Sequence, residues 1–278
     1  MHPAHKVLKT LPLPLRRRIH YLKAHRRWPN LDKPRSFNEK VNWRIINDRR
    51  DDIAWTCDKL SMKEFAERST SGVKVPRTLW SGTDIQELRD FNFPDRWILK
   101  ANHRSQCVYL GVGTPDLQEL GDATRGWLEN MQADVLGEWA YSQADPLIFL
   151  EEWIGDENAP SDYKFFVFAG RVEVIQVDEN RFNGHQMRLY DRDWNSLGVA
   201  KGFWQESAVA PRPESLDRMI AVAESLGAKF DFMRIDLFDT PKGIYFGETT
   251  PYPGGGLSPF EPRSFDYELG QKWVLPSI

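Results

Sequence analysis

The sequence predicts an α+β fold in which antiparallel hairpins are covered by amphipathic helices. Two runs, 233–238 and 245–250, alternate polar and apolar residues, and residues 239–243 between them supply Asp, Pro and Gly for a turn. A second hairpin is predicted from 162–169 and 171–177, with its turn at Ala169-Gly170. An amphipathic helix is predicted over 215–230, between the two hairpins. This mixture favours α+β over a doubly wound parallel sheet.

The N-terminal half adds helices and shorter strands. Residues 1–35 are interrupted by prolines, so only a short helix over 15–27 is predicted there. Ser36 and Glu39 have the spacing of a capping box, which predicts a helix from residue 37, and a further helix is expected over 58–68. Strands are predicted at 74–79, 96–100, 108–112 and 147–150. A short helix over 83–91 and a mainly helical segment over 117–139 are expected between them.

Composition limits the class of protein. A chain of 278 residues with 41% hydrophobic and 28% charged residues is typical of a globular protein with a sizeable core. Cys57 and Cys107 lie in no metal-ligand spacing, which predicts free thiols in a reducing compartment. No apolar run is long enough to span a bilayer, and the first residues lack the apolar stretch of a signal peptide. We therefore expect a cytoplasmic protein.

Charge is distributed unevenly along the chain. Residues 1–50 hold 14 Lys and Arg against 3 Asp and Glu, although the formal net charge of the whole chain is −3. Such a basic arm is typical of contact with an anionic membrane surface, a lipid-linked phosphate or a nucleic acid. The alternative is a solvated helix face that packs on the acidic body of the protein. We expect an anionic membrane surface or a lipid-linked glycan at the inner face of the membrane, and no nucleic acid.

Two carboxylates and an arginine occupy the C-terminal hairpin. Arg234, Asp236 and Glu248 would lie on neighbouring strands, and the two acids stand inside apolar runs. A carboxylate in such a place is costly unless it is paired or bound to a cation. Oxygen donors beside an arginine suit Mg²⁺ bridging the phosphates of a nucleotide. The alternative is a buried ion-pair network without a metal.

Several segments, taken in order, resemble the ATP-grasp superfamily, and in particular its TupA-like branch. The resemblance runs from about residue 36 to about residue 270 and is carried by seven segments: FNEKVNW (37–43), WILKANH (97–103), DYKFFVF (162–168), IQVD (175–178), YDRDWN (190–195), RIDL (234–237) and FGETT (246–250). No single segment is specific, whereas their joint order and spacing are.

The resemblance implies a domain organisation and an activity. ATP would be clamped between two α+β subdomains, 59–150 and 151–278, behind a basic helical N-terminal subdomain, 1–58. Family members activate a carboxylate as an acyl phosphate, which an amine or thiol then attacks. The implied reactants are ATP, Mg²⁺, and small-molecule carboxylate and amine substrates. The implied setting is the biosynthesis of a surface polysaccharide or a related metabolite.

The resemblance also implies a set of site residues. The nucleotide contacts would be Lys59, Lys100, Ser105, Glu151, Glu152, Trp153, Ile154, Asp162 and Lys164. The metal ligands would be Asp236, Glu248 and Thr250, with Arg234 as a catalytic cation. From the residues themselves, Arg181 and Arg188 are further candidate catalytic cations, because guanidinium groups suit a carboxylate or an acyl phosphate. From the residues alone, Lys100 could equally be a solvated lysine at a strand end, and Lys164 could merely pair with Asp162.

Two positions depart from the family pattern. Thr250 stands where many members have Asn, and a hydroxyl is a weaker metal ligand than an amide carbonyl. The loop 102–107, which usually covers the phosphates and is rich in glycine, contains none here. Ser105, His103 and backbone amides remain as phosphate donors, and a stiffer lid is the alternative.

Two other classes of function stay open at this stage. A glycosyltransferase would be indicated by a nucleotide-sugar site, for which Asp191 and Asp193 form an Asp-x-Asp pair. A non-catalytic nucleotide-binding scaffold would agree with the glycine-free loop.

Overall fold

A computed structural model describes residues 10–130, 132–156, 160–179, 186–202, 205–206 and 208–278 of the chain. Its first part is helical, with α1 (Leu13–His25), α2 (Phe37–Asn47), α3 (Asp51–Ala54), a 3₁₀ turn (Trp55–Cys57) and α4 (Lys59–Ser69). The capping box of α2 is confirmed, because the Ser36 hydroxyl accepts from the Glu39 amide while the Glu39 carboxylate accepts from the Ser36 amide. Asp58 caps α4 through the Ser61 amide.

A four-stranded antiparallel sheet follows the helices. Its strands are β1 (Thr78–Gly82), β2 (Arg96–Ala101), β3 (Val108–Val112) and β4 (Ile148–Glu152), in the spatial order β1-β4-β2-β3. A 3₁₀ turn (Ile85–Leu88), α5 (Leu117–Ala123), one π turn (Gln132–Leu136) and a 3₁₀ turn (Trp139–Gln143) connect them. The predicted strand at 74–79 begins later, at Thr78, because Pro76 has no amide hydrogen for a ladder.

The mainly helical segment predicted over 117–139 is wrong. The α-helix ends at Ala123, and turns and short irregular helices follow it. Gly126 and Gly137 take φ values of 74° and 72°, in the left-handed region that interrupts a right-handed helix.

A six-stranded sheet forms the larger part of the fold. Its strands are β5 (Asp162–Phe168), β6 (Arg171–Glu179), β7 (Gln186–Tyr190), β9 (Gln205–Glu206), β10 (Phe232–Thr240) and β11 (Gly243–Thr250), in the order β11-β10-β5-β6-β7-β9. β8 (Ala200–Lys201) pairs with β12 (Phe260–Glu261). α6 (Leu216–Gly227) precedes β10, and a 3₁₀ turn (Pro253–Gly256) and α7 (Ser264–Gln271) end the chain. Both predicted hairpins are confirmed.

The two faces of this sheet differ in what covers them. One face is apolar, and α6 packs on it so closely that a Cβ on Gly227 would lie 2.5 Å from Val167. On the other face, Phe166, Phe168 and Phe232 surround Phe37 of α2. The same face becomes polar further along β5 and β10, beyond the edge of α2, and this polar part holds the predicted metal ligands and Arg234.

The basic N-terminal segment is partly built into the fold. Arg17 of α1 is fully buried and donates to Asn42, to the Leu136 carbonyl and to the Gly255 carbonyl. Arg44 is also fully buried and pairs with Asp231 at 2.5 Å. These arginines act as core residues, which neither the membrane-contact expectation nor the solvated-face alternative for the basic arm supposed. Within the described ranges, no helix combines the length and apolar character that crossing a membrane requires.

The subdomain boundaries at residues 58 and 150 stay a prediction. The two sheets, 78–152 and 162–250, are joined by the chain that precedes β1. Lys74 bridges to Tyr245, with the Lys74 amide donating to the Ile244 carbonyl and the Phe246 amide donating to the Lys74 carbonyl, both at 2.8 Å.

Candidate active site

A row of polar residues crosses the six-stranded sheet. The strand registers place Glu248 opposite Asp236, Asp236 opposite Lys164, and Lys164 opposite Gln176. Residues directly opposite in an antiparallel pair lie on the same face, with Cβ atoms about 5 Å apart. The predicted pairing of the two acids across a hairpin is therefore confirmed, and Lys164 extends the row onto the neighbouring strand.

Arg234 is the centre of the hydrogen bonds at one end of this row. Its guanidinium donates to both oxygens of Asp236, at 2.7 and 2.6 Å, to Glu248 at 3.1 Å and to the Thr250 hydroxyl at 2.9 Å. The Thr250 hydroxyl in turn donates to Glu248 at 3.2 Å. A planar fork that binds both oxygens of a carboxylate fixes the positions of all three partners.

Burial and like charges shift the pKa values in this group. Burial raises the pKa of Asp236 to about 6, and the carboxylates of Asp162 and Glu248 act in the same direction against Arg234 and Lys164. Burial alone would lower the pKa of Arg234, but the carboxylates of Asp236 and Glu248 outweigh it and raise that pKa. Burial is thus the main cause of the raised pKa of Asp236, and the nearby cations only partly oppose it.

Lys164 is paired rather than free to reach a nucleotide. Its ammonium contacts Asp162 and Asp178, the latter at 2.7 Å, and lies 3.8 Å from Asp236. Lys164 and Asp162 are 5% and 3% exposed. The pairing alternative is thus the arrangement that the structure has, and the nucleotide contacts predicted for both residues stay predictions.

Lys201 is a cation on this face that the sequence did not single out. It lies on β8 and is 7% exposed, and its ammonium donates to Gln176 at 2.8 Å. Among the described residues, no carboxylate pairs with it. Burial lowers the pKa of Lys201 to about 7, and Arg234 acts in the same direction. In the sequence, Lys201 lies within the stretch GVAKG (198–202). This pattern does not predict that the lysine faces the polar row.

The four-stranded sheet contributes a second charged group. Glu151 accepts from Lys100 at 2.6 Å and from Lys63 at 3.0 Å, and Lys63 also donates to the Thr78 hydroxyl. Burial by itself would raise the pKa of Glu151, but the two ammonium groups outweigh it and the pKa is lowered. Lys100 is therefore held at its strand end by a buried partner, not extended into solvent.

Apolar side chains share the sheet face of Lys100. The register pairs Lys100 with Val108 and Ile98 with Leu110, so these residues lie on one face of β2 and β3. Val108 and Leu110 are 38% and 40% exposed, while the opposite face of the same strands is core. An exposed apolar strip beside a lysine suits a flat base next to its phosphates. The alternation within 108–112 was the available signal for this strip.

The loop 102–107 is held by hydrogen bonds to the start of α4 and to Gln132. Asn102 donates to Asp58 at 2.7 Å and accepts from the Leu60 amide, and Gln132 donates to the Ser105 hydroxyl at 2.8 Å. Lys59 donates to the carbonyls of Asn102 at 3.3 Å and Arg104 at 2.5 Å. The structure thus agrees with the stiffer loop that the absence of glycine suggested.

Lys59 links the two halves of the site. Burial lowers its pKa, the charge of Lys100 lowers it further, and the charge of Glu248 raises it. Lys59 is therefore near both the Lys100 group on one sheet and the Glu248 group on the other. We call the region between these two groups the crevice. Each side carries both signs of charge, with Glu151 beside Lys100 and Arg234 beside Glu248.

The nucleotide contacts predicted at 151–154 lie at the end of β4 and just after it. The Glu152 carboxylate accepts from the backbone amide and the side chain of Arg77, both at 2.9 Å. The Trp153 indole donates to the Asp156 carbonyl, and Ile154 is buried. The carboxylate of Glu152 and the indole of Trp153 are thus engaged within the protein, and the nucleotide contacts of this segment stay a prediction.

The structure corrects the prediction for Arg188. Its strand register places it opposite Val177, whereas Asp178, the next residue, faces the polar row. Successive residues of a strand point to opposite faces, so Arg188 lies on the far side of the sheet, where it donates to Ser196 at 3.0 Å. Arg181, the other predicted catalytic cation, lies outside the described residues.

Another buried carboxylate lies behind the crevice. Burial raises the pKa of Glu138 to about 7, and Arg17 opposes the shift. A Cβ at Gly255, which has φ 58°, would come within 2.8 Å of the Glu138 carboxylate. The sequence carried no signal for this group, because Glu138 lies in the segment whose predicted helix does not form.

The TupA-like ATP-grasp family model matches residues 39–274. The chain belongs to the TupA-like ATP-grasp family. The predicted family and the α+β ATP-grasp fold are therefore confirmed. A search of curated protein sequences found no match to the chain.

Solved structures similar to this TupA-like chain are ATP-grasp ligases. A D-alanine–D-alanine ligase from Helicobacter pylori has 15% identity and a TM-score of 0.46, and the match covers 80% of this chain and 59% of that one. The D-alanine–D-alanine ligase from Bacillus anthracis complexed with ATP has 16% identity and a TM-score of 0.39, with coverage of 70% and 53%. The ligase PsnB complexed with its minimal precursor has 14% identity and a TM-score of 0.40, with coverage of 72% and 54%. The chain thus spans between about half and three fifths of the length of these ligases.

The donor set of this TupA-like site fits Mg²⁺. Asp236, Glu248 and Thr250 supply carboxylate and hydroxyl oxygens, which a small hard cation prefers, and the Glu248 side chain is 35% exposed. Within the described part of the chain, no group of three or more His, Cys, Asp or Glu side chains is arranged as a metal site. The set proposed here has only two carboxylates, and its third oxygen donor is a hydroxyl. Arg234 partly neutralises the negative charge of the two carboxylates.

Proposed function

We propose that this chain is an ATP- and Mg²⁺-dependent ligase that joins a carboxylate to an amine or thiol. The acid would be activated as an acyl phosphate by transfer of the terminal phosphoryl group of ATP, and the nucleophile would then displace phosphate. We place the reaction in the biosynthesis of a surface polysaccharide or a related metabolite. Membership of the ATP-grasp family and the charged crevice between the two sheets support this proposal.

The observation that carries the proposal is the geometry around Arg234. One guanidinium binds Asp236, Glu248 and Thr250, and the charges of Glu248 and Lys100 both act on Lys59. The Glu248 side chain is 35% exposed, so solvent and a bound ligand can reach its carboxylate. Oxygen donors opposite lysines are what a metal-bound triphosphate needs.

Each of these residues has a separate task in the proposed reaction. Lys59 and Lys100 hold phosphate oxygens as point charges. Arg234 is placed to stabilise the charge that develops on the transferred phosphoryl group. Asp236, Glu248 and Thr250 would hold Mg²⁺, which neutralises phosphate charge when it is bound. No side-chain nucleophile is needed, since orientation and electrostatics carry phosphoryl transfer.

Lys201 would bind the anionic oxygen of the acid substrate or of its acyl phosphate. The lysine is buried beside the row and has no carboxylate partner among the described residues, so its charge is available to a ligand. A buried cation without a partner is costly to the fold, and a bound anion would offset that cost.

The test is release of ADP and phosphate by the purified chain, with panels of carboxylic acids and amines. Asp236→Asn should reduce turnover at least about a thousandfold, because it removes a metal ligand and a partner of Arg234. Asp193→Asn is the matched control, since Asp193 is exposed and lies outside the crevice. Absence of turnover with every acid, or full activity in Asp236→Asn, would overturn the proposal.

The two other candidate functions have less support. The Asp191 carboxylate accepts from the backbone amides of Asp193 and Asn195, so it closes its own turn. Binding of a UDP-sugar without binding of ATP would nevertheless favour a glycosyltransferase. Binding of ATP without phosphate release, whatever the acceptor, would favour a nucleotide-binding scaffold.

A further inference from the structure

Helix α1 buries polar side chains and exposes apolar ones. Its inner face is polar, with Arg17 and Tyr21 fully buried against the body of the protein. Its outer face carries Leu15 and Leu22, each 41% exposed, with Ile19 half-buried between them. Positions 15, 19 and 22 are spaced by four and three residues, so they form one stripe along the helix. A surface helix normally buries such a stripe and exposes its arginines.

Cations border this apolar stripe. Arg18 and Lys23 occupy the helix positions on either side of it, and Arg26 ends the helix on the same side. Lys23 and Arg26 are exposed. Asp32 is the only acidic residue in 10–35, and it is already bound by Arg18 at 2.9 Å. The face therefore combines apolar side chains with uncompensated positive charge.

We propose that α1 docks on the surface of a bilayer that contains anionic lipid. Leu15, Ile19 and Leu22 would enter the boundary between headgroups and acyl chains, and Lys23 and Arg26 would contact the lipid phosphates. Helices with an apolar stripe bordered by Lys and Arg bind in this way, and anionic lipid adds to the attraction. Trp28, which is 55% exposed just after the helix, is of the type enriched at membrane interfaces.

The charge of the face favours this occupant over a second copy of the chain. Two copies that met through α1 would bring their cations together without acidic partners, since Asp32 is already paired. An anionic bilayer supplies the opposite charge over a broad area, and no defined pocket is needed to receive the leucines.

Docking through α1 would also orient the crevice. The inner face of the helix holds the glycine turn, because Arg17 donates to the Gly255 carbonyl and the His25 ring lies 3.1 Å from the Gly256 carbonyl. A helix is about 10 Å across, so this turn would lie roughly one helix diameter from the membrane.

Co-sedimentation of the full chain with lipid vesicles tests the proposal. One set of vesicles contains phosphatidylcholine alone, and the other contains about one third phosphatidylglycerol. The chain should bind the anionic vesicles at least about tenfold more tightly, and binding should weaken with added salt. Leu15→Ser/Leu22→Ser and Lys23→Glu/Arg26→Glu should each weaken binding at least about tenfold.

Control variants change exposed side chains of the same chemical type on other surfaces. Val209→Ser/Val274→Ser changes two valines that are 65% and 80% exposed, and Arg68→Glu/Arg125→Glu reverses two charges that are 80% and 79% exposed. Both controls should bind vesicles within about twofold of the parent chain. Thermal melting verifies that every variant is folded.

Three results would overturn the proposal. The first is equal binding to neutral and anionic vesicles, or no binding to either. The second is that the control variants lose as much vesicle binding as the variants in α1. A third is a dimer, seen by sedimentation, that Leu15→Ser/Leu22→Ser dissociates while vesicles are ignored. The assay needs no ATP, so its failure is distinct from a failure of the proposed ligase activity.

Discussion

Replacement of Lys201 by Met should stabilise the protein while it abolishes most of the proposed activity. A structural lysine would show the opposite effect on stability. Lys201 is 7% exposed and donates only to Gln176, so its charge is buried without a carboxylate among the described residues. Methionine has a similar length and no charge, and it suits the ring faces of Phe166 and Phe260 that now lie 5.0 and 5.9 Å from the ammonium.

The magnitude follows from the pKa of Lys201. A fall from 10.5 to about 7 corresponds to a cost of up to about 5 kcal/mol for keeping the lysine charged in the folded state. Because the folded-state pKa is depressed, this cost is complete below pH 7 and disappears as the pH rises towards 10.5. Loss of the hydrogen bond to Gln176 would cost about 1–3 kcal/mol in the variant. The net gain at pH 6 should be about 2 kcal/mol, or a rise in Tm of roughly 5 °C.

Thermal melting at pH 6 and ADP release together test this reasoning. Turnover of Lys201→Met should fall by about 10²–10³-fold, the usual loss when a charge that faces a reacting anion is removed. Lys164→Met is the matched control, because Lys164 is equally buried but bound to carboxylates, and it should lose about 3–5 kcal/mol of stability. A lower Tm in Lys201→Met, or unchanged ADP release, would refute the assignment of Lys201.

Three other outcomes are expected. Glu151→Gln should lower the free energy of unfolding by about 3 kcal/mol, because Lys63 and Lys100 would then face each other without a carboxylate, and urea titration measures the loss. Glu138→Gln should flatten the pH dependence of the free energy of unfolding. Because the folded-state pKa of about 7 exceeds the ordinary value of 4.5, the parent chain should lose about 3 kcal/mol of stability as the pH rises from 4.5 to 7. Equal pH dependence of the free energy of unfolding in the variant and the parent chain would contradict this. Asp236→Asn should abolish the dependence of ATP binding on Mg²⁺ in calorimetric titrations, whereas retained dependence would place the metal elsewhere.

Much of the fold follows from local patterns. The alternation in 233–250 and the turn residues between its halves predict a hairpin that pairs Asp236 with Glu248, and the structure has that pair. The capping box at Ser36 and the hairpin at Ala169-Gly170 also form as predicted. Each of these features depends on residues within one short stretch, so no distant partner has to be known.

The two incorrect predictions of secondary structure also have local causes. The helix predicted over 117–139 does not continue because Gly126 and Gly137 adopt positive φ. The strand predicted from residue 74 is delayed because Pro76 cannot donate to a ladder. Both predictions followed the apolar residues of the segment. The glycines and the proline that limit the backbone were already present in the sequence.

By itself, the sequence determined which short segments form strands, caps and turns, and which acids and arginine share a hairpin. Only the tertiary structure decided which charges meet. The register between β6 and β7 turns Arg188 away from the crevice, and the pairing of β8 with β12 brings Lys201 into it. Folding likewise directs the arginine of α1 inward and its leucines outward. Periodicity and capping act between near neighbours, whereas register, burial and charge pairing join residues that are far apart in the chain, so they are settled only when the sheets close.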